Sequence, residues 1–292
     1  MKKYFILFTS LLFLTLGFSQ KKKNSADDLK SSDLSGLKFR SVGPAFMSGR
    51  IADIAINPEN ENEWYVAVGS GGVWKTVNSG TTWSPITDNE SFYSTGCITI
   101  DPHNTSKIWL GTGENVGGRH VGIGHGVYVS NNGGKNWKSM GLKASEHISK
   151  IIVSPKDSEV VFVASQGPLW SSGGERGLYK TNDGGKTWKN VLSVNEWTGV
   201  TDVVINEQNP NILYAATWQR HRNVASYMGG GPGTSIYKST DHGNTWIEIK
   251  NGLPNSNLGK IGLAISPFDS TIVYAAVETD RRNGAVYKTT NS

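Results

Sequence analysis

One cysteine, Cys97, is all the sequence holds, so no disulfide can form within the chain. It sits in the apolar run GCITI (96–100), the setting of a buried structural thiol rather than a nucleophile. Charge is also scarce: charged residues make up 18% of the chain and the formal net charge is only +5. No lysine or arginine stripe occurs beyond residues 21–23, which excludes nucleic acid as the partner. Alanine- and leucine-rich helical stretches are nearly missing, and the one long apolar run, 4–18, is shorter than the roughly 18–20 residues of a membrane span. Two lysines precede that run, and Gly17 and Ser19 occupy the −3 and −1 positions of a cut before Gln20. The pattern is that of a cleaved secretory signal over 1–19. No cysteine follows the cut, so a lipid-modified N-terminus is not expected. The expectation is an exported protein, secreted, periplasmic or on the cell surface, with no membrane span after cleavage.

What is abundant is glycine (35 residues) and tryptophan (10). Residues 20–36 have almost nothing to bury and read as a disordered linker. From about residue 37 onward, apolar and polar residues alternate, broken by Gly, Pro and Asp clusters, as in strands. The stretch KTNDGGKTW (180–188) ends like a phosphate-binding GK[ST] loop. The glycine that must come five residues before the last one is Lys180 instead, so the phosphate cradle fails.

The stretch has siblings at 75–83, 129–137 and 238–246. All four fit [ST]-x-[DN]-x-G-x-x-W: Thr76/Asn78/Gly80/Trp83, Ser130/Asn132/Gly134/Trp137, Thr181/Asp183/Gly185/Trp188 and Ser239/Asp241/Gly243/Trp246. The tryptophans recur at about 50–60 residues, the period of a propeller, solenoid or array. In such a turn the Asp or Asn accepts backbone N–H bonds, the glycine takes a positive φ, and the tryptophan buries a large flat area against the neighbouring sheet. Asn at two of the four acid positions marks the acid as a turn-builder rather than a catalyst.

Each repeat divides into four strands, as in 148–155, 160–166, 177–182 and 186–192. Four antiparallel strands repeated radially make a β-propeller. The expected domain is therefore all-β, covering 37–292, with blades at about 38–88, 92–141, 145–193 and 197–252. A fifth, incomplete blade covers 257–292, so the chain reads as the N-terminal part of a larger propeller.

The four boxes resemble the Asp-box, or BNR, repeat of sialidases, xyloglucan-cleaving endoglucanases and Vps10/sortilin propellers. The span from RSVGPAFMSGRIADIAINP to KIGLAISPFDSTIVYAAVE is most similar to bacterial proteins with a sortilin N-terminal-like propeller. The resemblance implies a secreted propeller that binds an extracellular peptide, protein or glycan. The alternative it admits is a glycoside hydrolase acting on a polysaccharide. The Arg-Ile-Pro entry motif of sialidases is absent. In the xyloglucan-cleaving family a catalytic aspartate precedes an x-Gly-Gly-aromatic stretch. The matching segment here is VGSGGVWK (68–75), where Gly69 stands in place of that aspartate and no acid replaces it nearby.

With strands named A to D from the centre outward, the box turns join C to D. The loops between B and C emerge on the opposite face, and they vary in length, which is where function resides on a rigid scaffold. They supply the candidate ligand-binding residues: Glu114, Arg119 and His120; Trp170, Glu175 and Arg176; Trp218, Arg220 and His221. Glu278, Asp280, Arg281 and Arg282 complete the arc. Glu114, Arg119, Glu175, Arg176 and Arg220 are expected to converge on the inner rim. Aromatics beside carboxylates and arginines suit sugar stacking with acid/base work, or capture of an anionic peptide. His120 and His125 lack the partners and spacing of a metal site, and the GGGPG run (229–233) precedes no helix that could cradle phosphate. Neither metal nor cofactor is expected.

Overall fold

A computed structural model describes residues 35–36, 49–279 and 284–291. The chain divides into two compact units at Met47/Ser48. Of the first, only Ser35 and Gly36, in a turn, are described. The expected signal, most of the linker, and Asp280, Arg281 and Arg282 therefore lie outside the described residues.

The second unit is a succession of antiparallel sheets, each built from consecutive strands. The first contains β1 (Ile51–Ile56), β2 (Trp64–Val68), β3 (Gly72–Thr76) and β4 (Ser84–Pro85). The second contains β5 (Thr95–Asp101), β6 (Asn104–Thr112), β7 (Val127–Ser130) and β8 (Lys138–Ser139), and the third β9 (Ile148–Ser154), β10 (Asp157–Ser165), β11 (Gly177–Thr181) and β12 (Lys189–Leu192). In the fourth sheet, β13 (Thr198–Ile205) and β14 (Leu213–Gln219) are followed by a small hairpin, β15 (His221–Arg222) with β16 (Tyr227–Met228). The sheet then resumes with β17 (Ile236–Ser239) and β18 (Ile247–Ile249). The fifth has β19 (Ile261–Ile265), β20 (Val273–Val277) and β21 (Ala285–Thr289). The architecture is all-β and matches a partial propeller, as the repeat period and strand alternation led one to expect.

The first strands of successive sheets are tied to one another. Ser149 Oγ donates to Val200 O at 3.2 Å, and Thr99 Oγ1 to Ile151 O at 2.8 Å. Asp53 Oδ2 accepts from Ile98 N at 3.0 Å, and Asp202 Oδ2 from Leu263 N at 2.8 Å. In each of the first four sheets this inner strand carries a register shift near its start, at Ile51/Asp53, Thr95/Cys97, Ala164/Ser165 opposite β9, and Val200/Asp202. Such a bulge locally increases twist. Apolar clusters then fill the space between neighbouring sheets. In one, Trp109, Cys97 and Val127 meet Ile148, Ile151 and Val161, with Trp188 against them. Cys97 is part of that core, and burial raises its thiol pKa far above the usual range, so it is structural.

The box turns share one hydrogen-bond net. In the third sheet Thr181 Oγ1 donates to Asp183 Oδ1 at 2.6 Å, and accepts from Gly185 N at 3.0 Å. Asp183 Oδ1 also accepts from Thr187 N at 2.9 Å. The same bonds recur with Asn78, Asn132 and Asp241. Only a carbonyl-type oxygen is needed for them, which explains why Asn and Asp interchange. Gly80, Gly134, Gly185 and Gly243 all sit at φ between 75° and 87°, where a side chain would be strained.

Three box tryptophans pack against the neighbouring sheet as expected, and Trp83 departs from that expectation. Trp137, Trp188 and Trp246 are only half-buried, and Trp83 is exposed. Trp137 packs against the cluster between the first and second sheets, with its ring edge-on to Phe92 at 6.2 Å. Trp246 lies against the cluster between the third and fourth sheets, and its Nε1 donates to Gly243 O of its own turn at 3.2 Å. Trp83 has no earlier sheet to meet among the described residues and instead lies 6.4 Å from Trp64 of its own sheet. The physical reason is position. The tryptophan follows the turn and opens the outermost strand, so it caps the edge of an intersheet core, where one side of the ring keeps contact with water.

Candidate functional site

The box turns and the B–C loops leave opposite ends of the sheets. β11 starts at Gly177, just after Glu175, and ends at Thr181, where the box begins. Five extended residues separate the two ends by about 16 Å.

At the loop end, the B–C loop of the second blade reaches across to blades four and five. Its three successive carbonyls, Asn115 O, Val116 O and Gly117 O, accept from Lys260 Nζ at 2.7 Å, Arg220 Nη1 at 2.9 Å and Arg222 Nη2 at 3.1 Å. Arg220 also donates to Gly167 O of the third blade's loop at 3.2 Å. One guanidinium thus holds loops from three blades. Arg176 plays the same part within its own loop, donating to Gln166 O and Gly173 O at 2.8 Å, Ser171 O at 2.6 Å, and Pro168 O. Burial lowers the Arg220 pKa to about 9 and that of Arg176 to about 10, so both stay charged at neutral pH. His147 is packed beside them, and burial followed by the Arg220 charge lowers its pKa to about 3. It is neutral.

The candidate residues therefore separate by environment. Arg119, His120 and Trp170 are exposed on this rim. Glu175 is half-buried, and its Oε2 accepts Ala144 N at 2.7 Å. His221 is half-buried with its ring 4.2 Å from that of Trp197. Glu114, Arg176, Trp218 and Arg220 are buried. Trp218 Nε1 donates to Gly229 O at 2.8 Å, and its ring lies under Arg220 and Lys260, 5.2 and 5.4 Å away. The loops do come together around Arg220, but the donors of Arg176 and the two Nη groups of Arg220 point to carbonyls of the protein.

Glu114 has the most telling position. Its carboxylate pairs with Arg50 Nη2 at 2.7 Å and accepts Gly122 N at 2.8 Å. It also covers Gly69 so closely that a Cβ there would lie 2.5 Å from Glu114 Oε1. The reading that no acid stands near Gly69 is thus corrected: the acid comes from the next blade, 45 positions along the chain, where a local motif cannot register it. Arg50, which precedes β1 and has a largely exposed side chain, was missed for the same reason. Exposed Tyr93, Trp170 and Tyr227 offer flat aromatic surface on the same end.

Below the rim, a cavity of about 830 Å³ opens where the inner strands meet. Ala52, Asp53, Ser149, Lys150, Thr201, Asp202, Ile261 and Gly262 line it from four blades, with Asn115, Lys260 and Glu278 at the loop end. Burial raises the Asp202 pKa, while the Leu263 N–H works against that shift. Burial lowers the Lys260 pKa.

Comparison with known proteins follows the same division between fold and site. Residues 125–229 match the family model described as Sortilin-Vps10 (sortilin, neurotensin receptor 3). A xyloglucanase of Hypocrea jecorina is 25% identical over 256 residues, covering 77% of this chain and 28% of that protein. A xyloglucanase of Acetivibrio thermocellus is 25% identical over 250 residues, covering 76% and 28% respectively. The chain thus spans little more than a quarter of the length of these relatives. Among solved structures, a GH74 enzyme of Niastella koreensis superposes with a TM-score of 0.62 at 19% identity, over 82% of this chain and 37% of that one. The GH74 xyloglucanase of Xanthomonas campestris gives 0.60 at 16% identity, over 82% and 36%. At that identity the match is one of fold. The comparisons thus support a partial propeller similar in fold to those of xyloglucanases.

Proposed function

We propose that the loop rim binds an extracellular polysaccharide, of the β-glucan kind that xyloglucanases cleave, and that the chain works as part of a glycoside-hydrolase-type propeller. The observation that carries this reading is the Glu114 carboxylate lying over Gly69 and paired with Arg50. It supplies an acidic group at the place the sequence had left empty. Exposed Trp170, Tyr93 and Tyr227 provide faces on which sugar rings can stack. Arg119, His120 and the half-buried Glu175 add polar contacts to sugar hydroxyls. Hydrolysis of a glycosidic bond requires a second carboxylate across the bond, so Glu114 is assigned one side of the chemistry only.

A peptide-binding rim is the second reading, favoured by the sortilin-type match over 125–229, which includes the loops carrying Trp170 and Arg176. Binding and hydrolysis assays on the protein, with xyloglucan, other β-glucans and a peptide array, distinguish the two. Glycan binding that Trp170→Ala weakens, with turnover that Glu114→Gln abolishes, is the expected result. Peptide binding with no glycan affinity rejects the polysaccharide reading.

A further inference from the structure

The chain enters three of its inner strands through one repeated arrangement. Tyr93, Glu146 and Glu196 stand two residues before β5, β9 and β13 respectively. Each gives its carbonyl to a glycine N–H in the preceding blade's B–C connection. Tyr93 O accepts from Gly72 N at 2.9 Å, Glu146 O from Gly124 N at 2.8 Å and Glu196 O from Gly173 N at 2.8 Å. The carbonyl of the next residue, Ser94, His147 or Trp197, accepts from the residue that follows its own blade's second strand. Those donors are Gly113 N at 2.9 Å, Gln166 N at 2.9 Å and Arg220 N at 3.3 Å. The backbone is thus fixed at three equivalent points of the rim, and only the side chains differ.

Tyr93 is 59% exposed, Glu196 is exposed, and the Glu146 side chain is 30% exposed. The rim acids Glu114 and Glu175 are engaged, the first by Arg50 and Gly122 N and the second by Ala144 N. Among the described residues, neither the Glu146 nor the Glu196 carboxylate accepts a hydrogen bond. Glu146 has only His147 Nε2 at 3.9 Å, beyond hydrogen-bond reach. Gln166, 1% exposed, adds a further acceptor without a donor, its Oε1. Backbone strain marks the same place, for Glu146 holds a φ of 53°, a conformation that side chains adopt at a cost and that gathers at functional sites. An arc of acceptors without donors calls for a ligand rich in donors. The charges behind the arc say which kind. Burial lowers the Arg176 pKa, and the charges of Glu146 and Glu196 work against that shift; after Tyr227, Glu146 does the same at Arg220. Those guanidiniums, with exposed Lys143 on the same loop as Glu146, cancel much of the negative field of the two carboxylates. An ammonium therefore gains little there, while a neutral hydroxyl still gains a charge-assisted hydrogen bond.

We propose that Glu146 and Glu196 are specificity-determining residues of the rim, each binding hydroxyls of a neutral β-glucan laid along the arc from Tyr93 to Glu196. The inference rests on the polysaccharide reading and narrows it to uncharged chains with free hydroxyls. An ionised carboxylate only accepts, through two oxygens, so one can take two neighbouring hydroxyls of a sugar at once. A uronate would instead add an acceptor where acceptors already lack donors. Tyr93 supplies a stacking face at one end of the arc. Stacked sheets lie about 10 Å apart, close to the length of one disaccharide in an extended β-linked chain. Successive rim positions therefore meet alternate sugars, and a chain of several sugars is needed to span all three.

Titration calorimetry of the full chain with xyloglucan oligosaccharides of increasing length tests this at neutral pH. Glu146→Gln and Glu196→Gln keep the side-chain shape and break no hydrogen bond within the protein, so the melting temperature is expected to stay unchanged. Each is expected to weaken binding about tenfold, the effect of replacing a charge-assisted hydrogen bond with a neutral one. Methylating the oligosaccharide's hydroxyls is expected to close the gap between the unaltered chain and the variants. A gap that persists with the methylated sugar overturns the inference, since no donor is left to reach the carboxylates. Oligosaccharide binding that both variants retain in full overturns it too and leaves the polysaccharide reading standing. If the unaltered chain binds no oligosaccharide, that reading fails and takes the inference with it. Capture of a lysine-rich peptide in place of the sugar, lost in both variants, overturns it in favour of a cationic partner.

Discussion

The two ends of the same sheets are built on opposite plans. At the box end, every turn closes on itself within eight residues, through one hydroxyl, one Asn or Asp oxygen and one glycine. At the loop end, no two loops are alike, and order comes from cations that reach carbonyls on other blades. Short-range closure can be copied from blade to blade without regard to neighbours. Cross-blade stapling cannot, and that frees each loop to differ while making it depend on the rest of the ring.

The sharpest way to break this contrast is Arg220→Ala. It strands Val116 O and Gly167 O and empties a fully buried site, so a loss of about 4 kcal/mol is expected. Hydrogen exchange should rise at Gly117, Gly167 and their neighbours in both loops while the box turns stay protected; uniform exchange changes would erase the distinction. Trp188→Ala attacks the other end. It removes the edge-on contact with Trp109 and the 2.6 Å bond to Met140 O, and a loss of about 3 kcal/mol in denaturant titration is expected, with rim binding unaffected in the protein that remains folded.

Acid should act on the two ends through different groups. The unfolded His147 takes up a proton near pH 6.5 and the folded one only near pH 3. Its contribution to stability is therefore full above pH 6.5 and is lost as pH falls toward 3. Thermal melts across that window should show the decline, and His147→Gln should flatten it; an unchanged slope would remove His147 from the account. Asp183 is held down to about 2 by Thr181 first and then Thr187, against an ordinary value of 3.8, so its own contribution declines only below about pH 4, while burial of His242 in the fourth box lowers that histidine's pKa from 6.5 and adds a decline that begins higher. The smallest effect is expected from Asp183→Asn, since Asn already serves in two of the four boxes. Its melting temperature at neutral pH should fall by no more than about 2 °C, with the component below pH 4 reduced.

This asymmetry also explains what the sequence disclosed. Thr181, Asp183, Gly185 and Trp188 are a local constellation, so the box, the strand count and the propeller architecture could be read directly. How far each box tryptophan is covered could not, because Trp83, Trp137 and Trp246 share one motif and differ in what the preceding sheet sets against them. Glu114 and Gly69 are brought together by the packing of two blades, and no pattern in either segment marks them as neighbours. Arg176 and Arg220 look like rim cations until their surroundings are known.

The strap formed by Asn115, Val116 and Gly117 has a temporal side. Its anchors lie 145, 104 and 105 positions later in the chain, so during synthesis the second blade is made long before anything can fasten its loop. Contacts of such long sequence separation form late, because the chain entropy lost in closing them is recovered only at the end. Ordering of the loop end should therefore be the last event of folding and the first to be undone, which makes readiness for ligand a report on whether blades four and five have already docked.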